Sequence, residues 1–402
     1  MTSVIPTSEQ VGTLAEQTFM ALRQVCRDHN RFYALHEPRF AGNEWHCTKE
    51  CLDTGWVSSA GKYVDQFERM LAEYTGAAHA IATVNGTAAL HLCLRLAGVE
   101  PGDEVLVPAL SFVATANAVA YCHAVPHFVD SEMRTLGMDA EKLANHLSET
   151  GEVKHGICFN RQTGHRIRAL VPMHTFGHPV DMDALLEVAA SYRILVVEDA
   201  AESLGSFYKK RHTGNDGCLA ALSFNGNKIV TTGGGGAILT NDANLAKRAK
   251  HLSTTAKVPH AWEYQHDLVG YNYRLPNLNA AVGCAQMEQL PAFCEAKRSL
   301  AARYAKAFEG VEGIRFFTEP NFAKSNYWLN VLLLDKSDLK MRDALLDLTN
   351  KNKIMTRPAW ELLHRLPMYK ECPRMDLSVA EDLAGRLINI PSSVAIELEH
   401  RA

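Results

Sequence analysis

The stretch AIATVNGTAALHLCLRLAGV, residues 80–99, passes from a short apolar run through Asn-Gly-Thr into a longer amphipathic one. The first part reads as a strand, AIATV, and the second as a helix over TAALHLCLRLAGV. The same step recurs downstream. DEVLVP (103–108) precedes a helix over SFVATANAVAYC (111–122), and PHFVD (126–130) precedes one over MDAEKLANHL (138–147). RALVPMH (168–174) leads to a helix starting at Asp181, and RILVVED (193–199) closes the series. Short apolar runs alternating with amphipathic helices predict an α/β fold whose large, mostly parallel sheet is covered on both faces.

Outward from this core the rhythm changes. GICFNRQTGHRIRAL (156–170) reads as a hairpin turning at Thr163-Gly164, an excursion between two units. A strand pair around SFYKKRHTG (206–214), strands at LAALSF (219–224) and GAILT (236–240), and a helix over DANLAKRAKHLS (242–253) follow. GYNYRLPNLNAAVGCAQMEQLPAF (270–293) reads as a loop feeding a long helix. From about residue 290 a smaller α/β unit is expected: a helix to about 309, strands near RFFT and YWLNVLLL, and a helix over LKMRDALLDLTN. The first 30 or so residues read as a helix, with Val11, Leu14, Phe19, Leu22 and Val25 at near-helical spacing. The chain thus divides into an N-terminal helical extension (1–45), a large domain (46–290) and a small C-terminal domain (291–402). No internal repeat or low-complexity segment interrupts it.

Bulk properties exclude several function classes. The 402 residues are 47% hydrophobic and 21% charged, ordinary for a globular protein. A net charge of −4 gives no electrostatic case for nucleic acid or an anionic membrane. No apolar run reaches transmembrane length, and the N-terminus lacks the basic and apolar regions of a signal peptide. The ten cysteines form no C-x-x-C pair. Cys93, Cys122, Cys218 and Cys284 sit in apolar segments as small core residues, which speaks against a metal site and for a reducing cytoplasm.

Three places could carry chemistry. In SFNGNKIVTTGGGG (223–236) a single lysine, Lys228, follows a strand and precedes four glycines. A phosphate-binding P-loop is excluded, because its glycines precede the lysine. A desolvated lysine at a strand end is a candidate for imine formation, although a lone lysine is more commonly a surface residue. Second, Asn85, Gly86 and Thr87 open a helix where amides and a hydroxyl could grip a phosphate, or merely cap the helix. Third, Glu198 and Asp199 in VVEDAAES (196–203) end an apolar strand, where open α/β sheets place their ligands. An acid there can cap a helix, bind a metal, pair with a cation, or face the pyridinium nitrogen of an electron-sink cofactor. A phosphate grip, a strand-end acid and a lysine about thirty residues on are together what pyridoxal phosphate requires.

NGTAAL, EDAAES, SFNGNK and GYNYRLPNLNAAVG, in that order, resemble the DegT/StrS family of pyridoxal-phosphate-dependent nucleotide-sugar aminotransferases, from about residue 35 to the C-terminus. The resemblance implies the fold type I, aspartate-aminotransferase-like architecture. It implies Lys228 as the imine-forming lysine and Asp199 as partner of the pyridine nitrogen. Gly86, Thr87, Ala88 and Ser223 would serve the phosphate, and Phe112 would stack on the ring. Asn272 would reach the phosphate of the neighbouring subunit, making the enzyme a homodimer with shared sites. Glu202 stands where many members carry Gln, near the ring oxygen. The segments LHEPRFAGNEWHCTKECLDTGWVSS (35–59) and PHFVDSEMRTLGMD (126–139) look like the branch serving legionaminic acid or bacillosamine.

The expected reaction moves an amino group from L-glutamate to the 4-keto carbon of a UDP-linked 4-keto-6-deoxy sugar carrying an N-acetylamino group. Trp56 and Ser58 in GWVSSAGKYV (55–64), and Arg357 and His364 in MTRPAWELLH (355–364), are candidate sugar or nucleotide contacts. His174, in MHTFGHPVD (173–181), is a further one, weighed against a turn or core histidine. Other acceptors remain open: a GDP-linked 4-keto sugar, a 3-keto sugar nucleotide or an 8-keto sugar acid. A sugar-nucleotide binder without turnover is the alternative outside enzymes, although such a protein has no use for an imine-forming lysine.

Overall fold

The structure, a computed structural model, describes residues 8–401. Seven strands form the large sheet: β1 His79–Thr83, β2 Glu104–Pro108, β3 Val125–Val129, β4 Ile167–Leu170, β5 Leu195–Asp199, β6 Leu219–Ser223 and β7 Gly236–Thr240. Their spatial order is β1-β7-β6-β5-β4-β2-β3. All run parallel except β7, which is antiparallel to both β1 and β6. Residues 224–235, between β6 and β7, form no crossover helix, so the chain turns straight back on itself. β2 and β7 are buried along their whole length, as a sheet covered on both faces requires.

The register brings the functional segments to one edge. Gly236 lies opposite Thr83 of β1 on one side and Ser223 of β6 on the other, and Asp199 lies opposite Ala221. The Asn85 turn, the strand-end acids and the lysine loop therefore meet at the carboxyl ends of the parallel strands.

Three helices position the rest: α1 Ser8–Val25, α2 Gly86–Leu96 and α3 Asn277–Ala307. α3 is a single helix of 31 residues with Pro291 inside it, so it runs unbroken through the boundary expected at 290/291. It carries the chain from the large sheet to a four-stranded antiparallel one, ordered Ile314–Phe316, Asn330–Leu334, Leu387–Ile390 and Arg357–Pro358. α1 belongs to this second body: Ala15, Leu22 and Val25 share a core with Leu300, Tyr304 and Ile388. The first seven residues of the expected N-terminal helix, and the Val11 side chain, lie outside the described residues.

The hairpin expected over 156–170 is present only as a short antiparallel bridge, Phe159 opposite Arg166. The chain does turn at Thr163-Gly164, where the Asn160 amide donates to the His165 carbonyl at 2.8 Å. The regular ladder, however, pairs Ile157–Asn160 with Gly151–Lys154, turning at His155 and Gly156, both of positive φ. Residues from Ile167 on belong to the parallel sheet. Among the described residues no helix is long and apolar enough to cross a membrane.

Candidate active site

A cavity of about 330 Å³ opens at the shared strand edge, and Gly86, Thr87, Phe112, Asp199, Glu202, Ser223 and Lys228 all line it. Asn85 is extended (φ −166°, ψ 168°) and its side chain accepts the Ala88 amide at 2.7 Å, capping α2. The Ala88 amide is thus engaged and the residue buried, so the donors left at the cavity are those of Gly86 and Thr87. A Cβ on Gly86 would lie 2.8 Å from Ser223 Cβ, so glycine lets α2 begin directly against the end of β6.

The two strand-end acids separate because neighbouring residues of a strand face opposite sides. Asp199 reaches the cavity. Its Oδ2 accepts from the Thr115 hydroxyl at 2.8 Å and its Oδ1 from the Ala201 amide at 3.2 Å, and burial raises its carboxyl above the ordinary aspartate value. Glu198 points away from it, accepting from the amides of Gly214, Asp216 and Gly217 at 2.7–2.8 Å and from His174 Nε2 at 2.9 Å. Burial pushes Glu198 up, but His174 and these amides more than offset that, and its carboxyl lies below the ordinary value.

His174 is therefore corrected as a substrate contact. It is fully buried, its Nδ1 accepts the Val180 amide at 3.3 Å, and its Nε2 serves Glu198. Adjacent His178 is buried among Phe317 and Tyr327.

Lys228 projects from the loop between β6 and β7. Its Nζ lies 3.2 Å from Glu202 Oε1 and 3.7 Å from the centroid of the Trp328 ring. Glu202 also accepts the Phe176 amide at 2.9 Å, and burial pushes its carboxyl up to about 7, the Lys228 charge offsetting only part of that cost. The four glycines after Lys228 have different tasks. A Cβ on Gly236 would lie 2.5 Å from the Asn85 backbone carbonyl and 2.7 Å from Gly86 N, so this glycine seats β7 against the start of α2. Gly235 gives close approach within the lysine loop itself, where a Cβ would lie 2.2 Å from Thr232 Oγ1.

The remaining candidates lie elsewhere on this chain. Asn272 is exposed and bridges Thr254. Trp56, 61% exposed, lines a separate cavity with Lys62 and Asn277, and exposed Ser58 accepts the Asn277 amide at 2.6 Å. Arg357 is exposed on the small sheet. His364 is buried, 3.2 Å from Glu381 Oε1, and burial lowers its pKa. Conversely, Trp328, Trp360 and Met173 line the main cavity although no sequence pattern marks them for it, and Asn225 and Asn227 of SFNGNK line it beside Lys228. Trp360 stacks on Phe176 at 4.8 Å and meets Phe112 edge-on at 6.4 Å. The signal of the two tryptophans is faint: YWLN reads as strand and AWELLH as helix core, and only long-range packing brings them to the lysine.

Solved structures place this architecture among aminotransferases. The aminotransferase TlmJ from Streptoalloteichus hindustanus superposes with a TM-score of 0.81 at 28% identity, over 90% of this chain and 94% of that one. In sequence, the GDP-perosamine synthase of Caulobacter vibrioides is 37% identical over 89% of this chain and 92% of its own. The putative pyridoxal phosphate-dependent aminotransferase EpsN of Bacillus subtilis is 39% identical over 90% and 91%. A family model matches residues 40–402, and with it the chain belongs to the DegT/DnrJ/EryC1/StrS aminotransferase family.

Proposed function

We propose that the protein is a pyridoxal-phosphate-dependent aminotransferase that passes an amino group from L-glutamate to the keto carbon of a 4-keto-6-deoxy sugar nucleotide. The observation that carries this reading is the meeting of the Lys228 amine, the buried Asp199 carboxylate and the first turn of α2 on one cavity. The residues present fit the cofactor. Asp199 is a buried acid with two modest donors, where a carboxylate can accept about four hydrogen bonds, so a protonated pyridine nitrogen is the cation its site lacks. Gly86, Thr87 and Ser223 offer amides and hydroxyls to a phosphate at a helix N-terminus. Phe112, half exposed at the cavity, offers its face to the ring.

When bound, pyridoxal phosphate supplies an electron sink for the carbanion left at the amino donor's α-carbon. Lys228 would hold the cofactor through its ε-amine and, once displaced by the donor, its Nζ would carry the proton from the donor's α-carbon to the cofactor carbon that bears the amine, and in the second half-reaction from that carbon to the sugar carbon. Asp199, buried at the cavity, would keep the ring nitrogen protonated. Glu202 faces the lysine amine and orients it, its position fixed by the Phe176 amide.

The sequence flanks favour a UDP-linked sugar of the legionaminic acid or bacillosamine type. Relatives named GDP-perosamine synthase, at 37% and 35% identity, favour a GDP-linked one. The site on this reading is shared in a cytoplasmic homodimer, Asn272 serving the partner's phosphate group, with residues 46–290 as the cofactor domain and 291–402 as the small one.

The test is an absorption spectrum of the cofactor-loaded protein. L-Glutamate is expected to abolish the band of the bound cofactor, and a 4-keto-6-deoxy sugar nucleotide to restore it; UDP- and GDP-linked acceptors tried in parallel identify the nucleotide. Lys228→Ala is expected to show neither change, and retention of a tenth of the wild-type rate would overturn the assignment. Mixing Lys228→Ala with Asn272→Ala chains is expected to regain activity if sites are shared, and to stay inactive otherwise.

A further inference from the structure

Trp328 lies on the small-sheet side of the cavity, 4% exposed, at the head of the strand Asn330–Leu334. It is held at every polar atom it has. Its indole N–H donates to the Asn227 carbonyl at 2.7 Å, one residue before the lysine. Its amide donates to Asn326 Oδ1 at 2.8 Å, and Asn326 Nδ2 donates in turn to the carbonyls of Glu202 and Leu204 at 2.9 Å. Its carbonyl accepts from the buried Lys297 amine at 3.2 Å. The ring thus has its edge pinned to the lysine loop and its backbone to the Glu202 turn. Its face is left for the Lys228 Nζ, 3.7 Å from the centroid and 3.2 Å from Glu202.

A flexible four-carbon side chain does not keep one position in a cavity unless something holds its end. An indole face is the strongest of the aromatic cation sites, and most effective where water is excluded.

Resting on the assignment of Lys228 made above, we infer that Trp328 is a positioning residue: its indole face, opposite Glu202, is the station that holds the Lys228 amine whenever that amine is not bonded to the cofactor. Two properties follow. The lysine returns to one place at each half-reaction, aligned for proton transfer, rather than searching the cavity. Because Trp328 belongs to the small-sheet side and Lys228 to the large sheet, the contact also couples the two sides at the reacting amine.

The test uses Trp328→Leu and Trp328→Phe. Leucine removes the aromatic face, whereas phenylalanine keeps a smaller face and loses the second ring with the N–H donated to Asn227. Expected is a fall in kcat of roughly tenfold or more for Trp328→Leu with the KM for L-glutamate nearly unchanged, and recovery of most of that loss in Trp328→Phe. The second readout needs no cofactor. After reductive ¹³C-methylation of the cofactor-free protein, the Lys228 resonance, identified by its loss in Lys228→Ala, is expected upfield from the indole ring current. In Trp328→Phe a smaller displacement is expected. A wild-type resonance at the ordinary lysine position overturns the inference even if both variants fail to fold. Equal kcat losses in the two variants, or none in Trp328→Leu, overturn it as well. Each of these outcomes leaves the lysine assignment standing, since that fails only if Lys228→Ala still turns over.

Discussion

At the scale of single residues, the site separates acids that look alike in sequence. Glu198 and Asp199 are neighbours, yet one is tied to a histidine and three loop amides while the other faces the cavity. Asp199→Asn keeps the shape and the Thr115 contact but removes the charge that would hold a pyridine nitrogen protonated. It is expected to lower kcat by about 10²–10³-fold, the scale of losing one electrostatic contact to the reacting system. Steady-state kinetics with cofactor occupancy checked by absorbance measure this. Glu202 gives a pH signature. Its carboxyl is raised from 4.5 to about 7, so the folded chain binds its proton more tightly than the unfolded one. That contribution to stability is complete below about pH 4.5 and is lost as pH rises through about 7. Cofactor-free Glu202→Gln has no such proton to lose. Its melting temperature is expected to fall less than that of the wild type across this interval; parallel slopes would show that Glu202 is ionised throughout.

At the scale of elements, the glycine run is a packing device. A methyl group on Gly236 meets backbone atoms of Asn85 and Gly86, which cannot rotate out of the way. Gly236→Ala is expected to cost about 1–3 kcal/mol by forcing β7 from the start of α2. Because the displaced turn is the phosphate grip, cofactor affinity should fall about tenfold or more with it. Gly226, where an added methyl would meet nothing within 4 Å and φ is not positive, is the control: Gly226→Ala should be within about 0.5 kcal/mol of wild type. Denaturant unfolding and cofactor titration read both. The strand-and-helix alternation from AIATV to RILVVED was legible because each unit is local, its period set by neighbours in sequence. Lys228, Asp199 and the Asn85 turn were legible because each sits at a strand end, where the fold places ligands. The pairing of 157–160 with 151–154 was not, because the turn signal at His155-Gly156 is weaker than Thr-Gly. His174 was misplaced for a related reason: sequence does not say which of two adjacent acids a strand turns toward a histidine. Trp328 and Trp360 were missed because no local pattern marks an aromatic that arrives from a hundred residues away.

At the scale of the whole molecule, α3 joins the two sheets, and its most unusual residue is Lys297. This lysine is fully buried, and its Nζ donates to backbone carbonyls, Trp328 O at 3.2 Å and Ser392 O at 2.5 Å. Both acceptors flank strands of the small sheet, so the amine ties the connecting helix to that sheet directly behind the lysine site. Burial lowers its pKa from 10.5 to about 7. The unfolded chain therefore binds the proton more tightly than the folded one between those values. The contribution of Lys297 to stability is complete only above about pH 10.5 and is lost as pH falls through about 7. This runs opposite to Glu202, whose penalty grows as pH rises, so the two groups can be separated in one experiment. Lys297→Met keeps the apolar stem, drops the proton and leaves two carbonyls without a donor. Urea unfolding between pH 7 and 10 is expected to show wild-type stability rising with pH relative to Lys297→Met. The gap should narrow or reverse at pH 7, where the wild type must hold a buried charge or give up its proton. A constant difference across the range would mean that the amine keeps the same protonation folded and unfolded, and that its two carbonyl bonds suffice to shelter an ammonium inside the joint between the sheets.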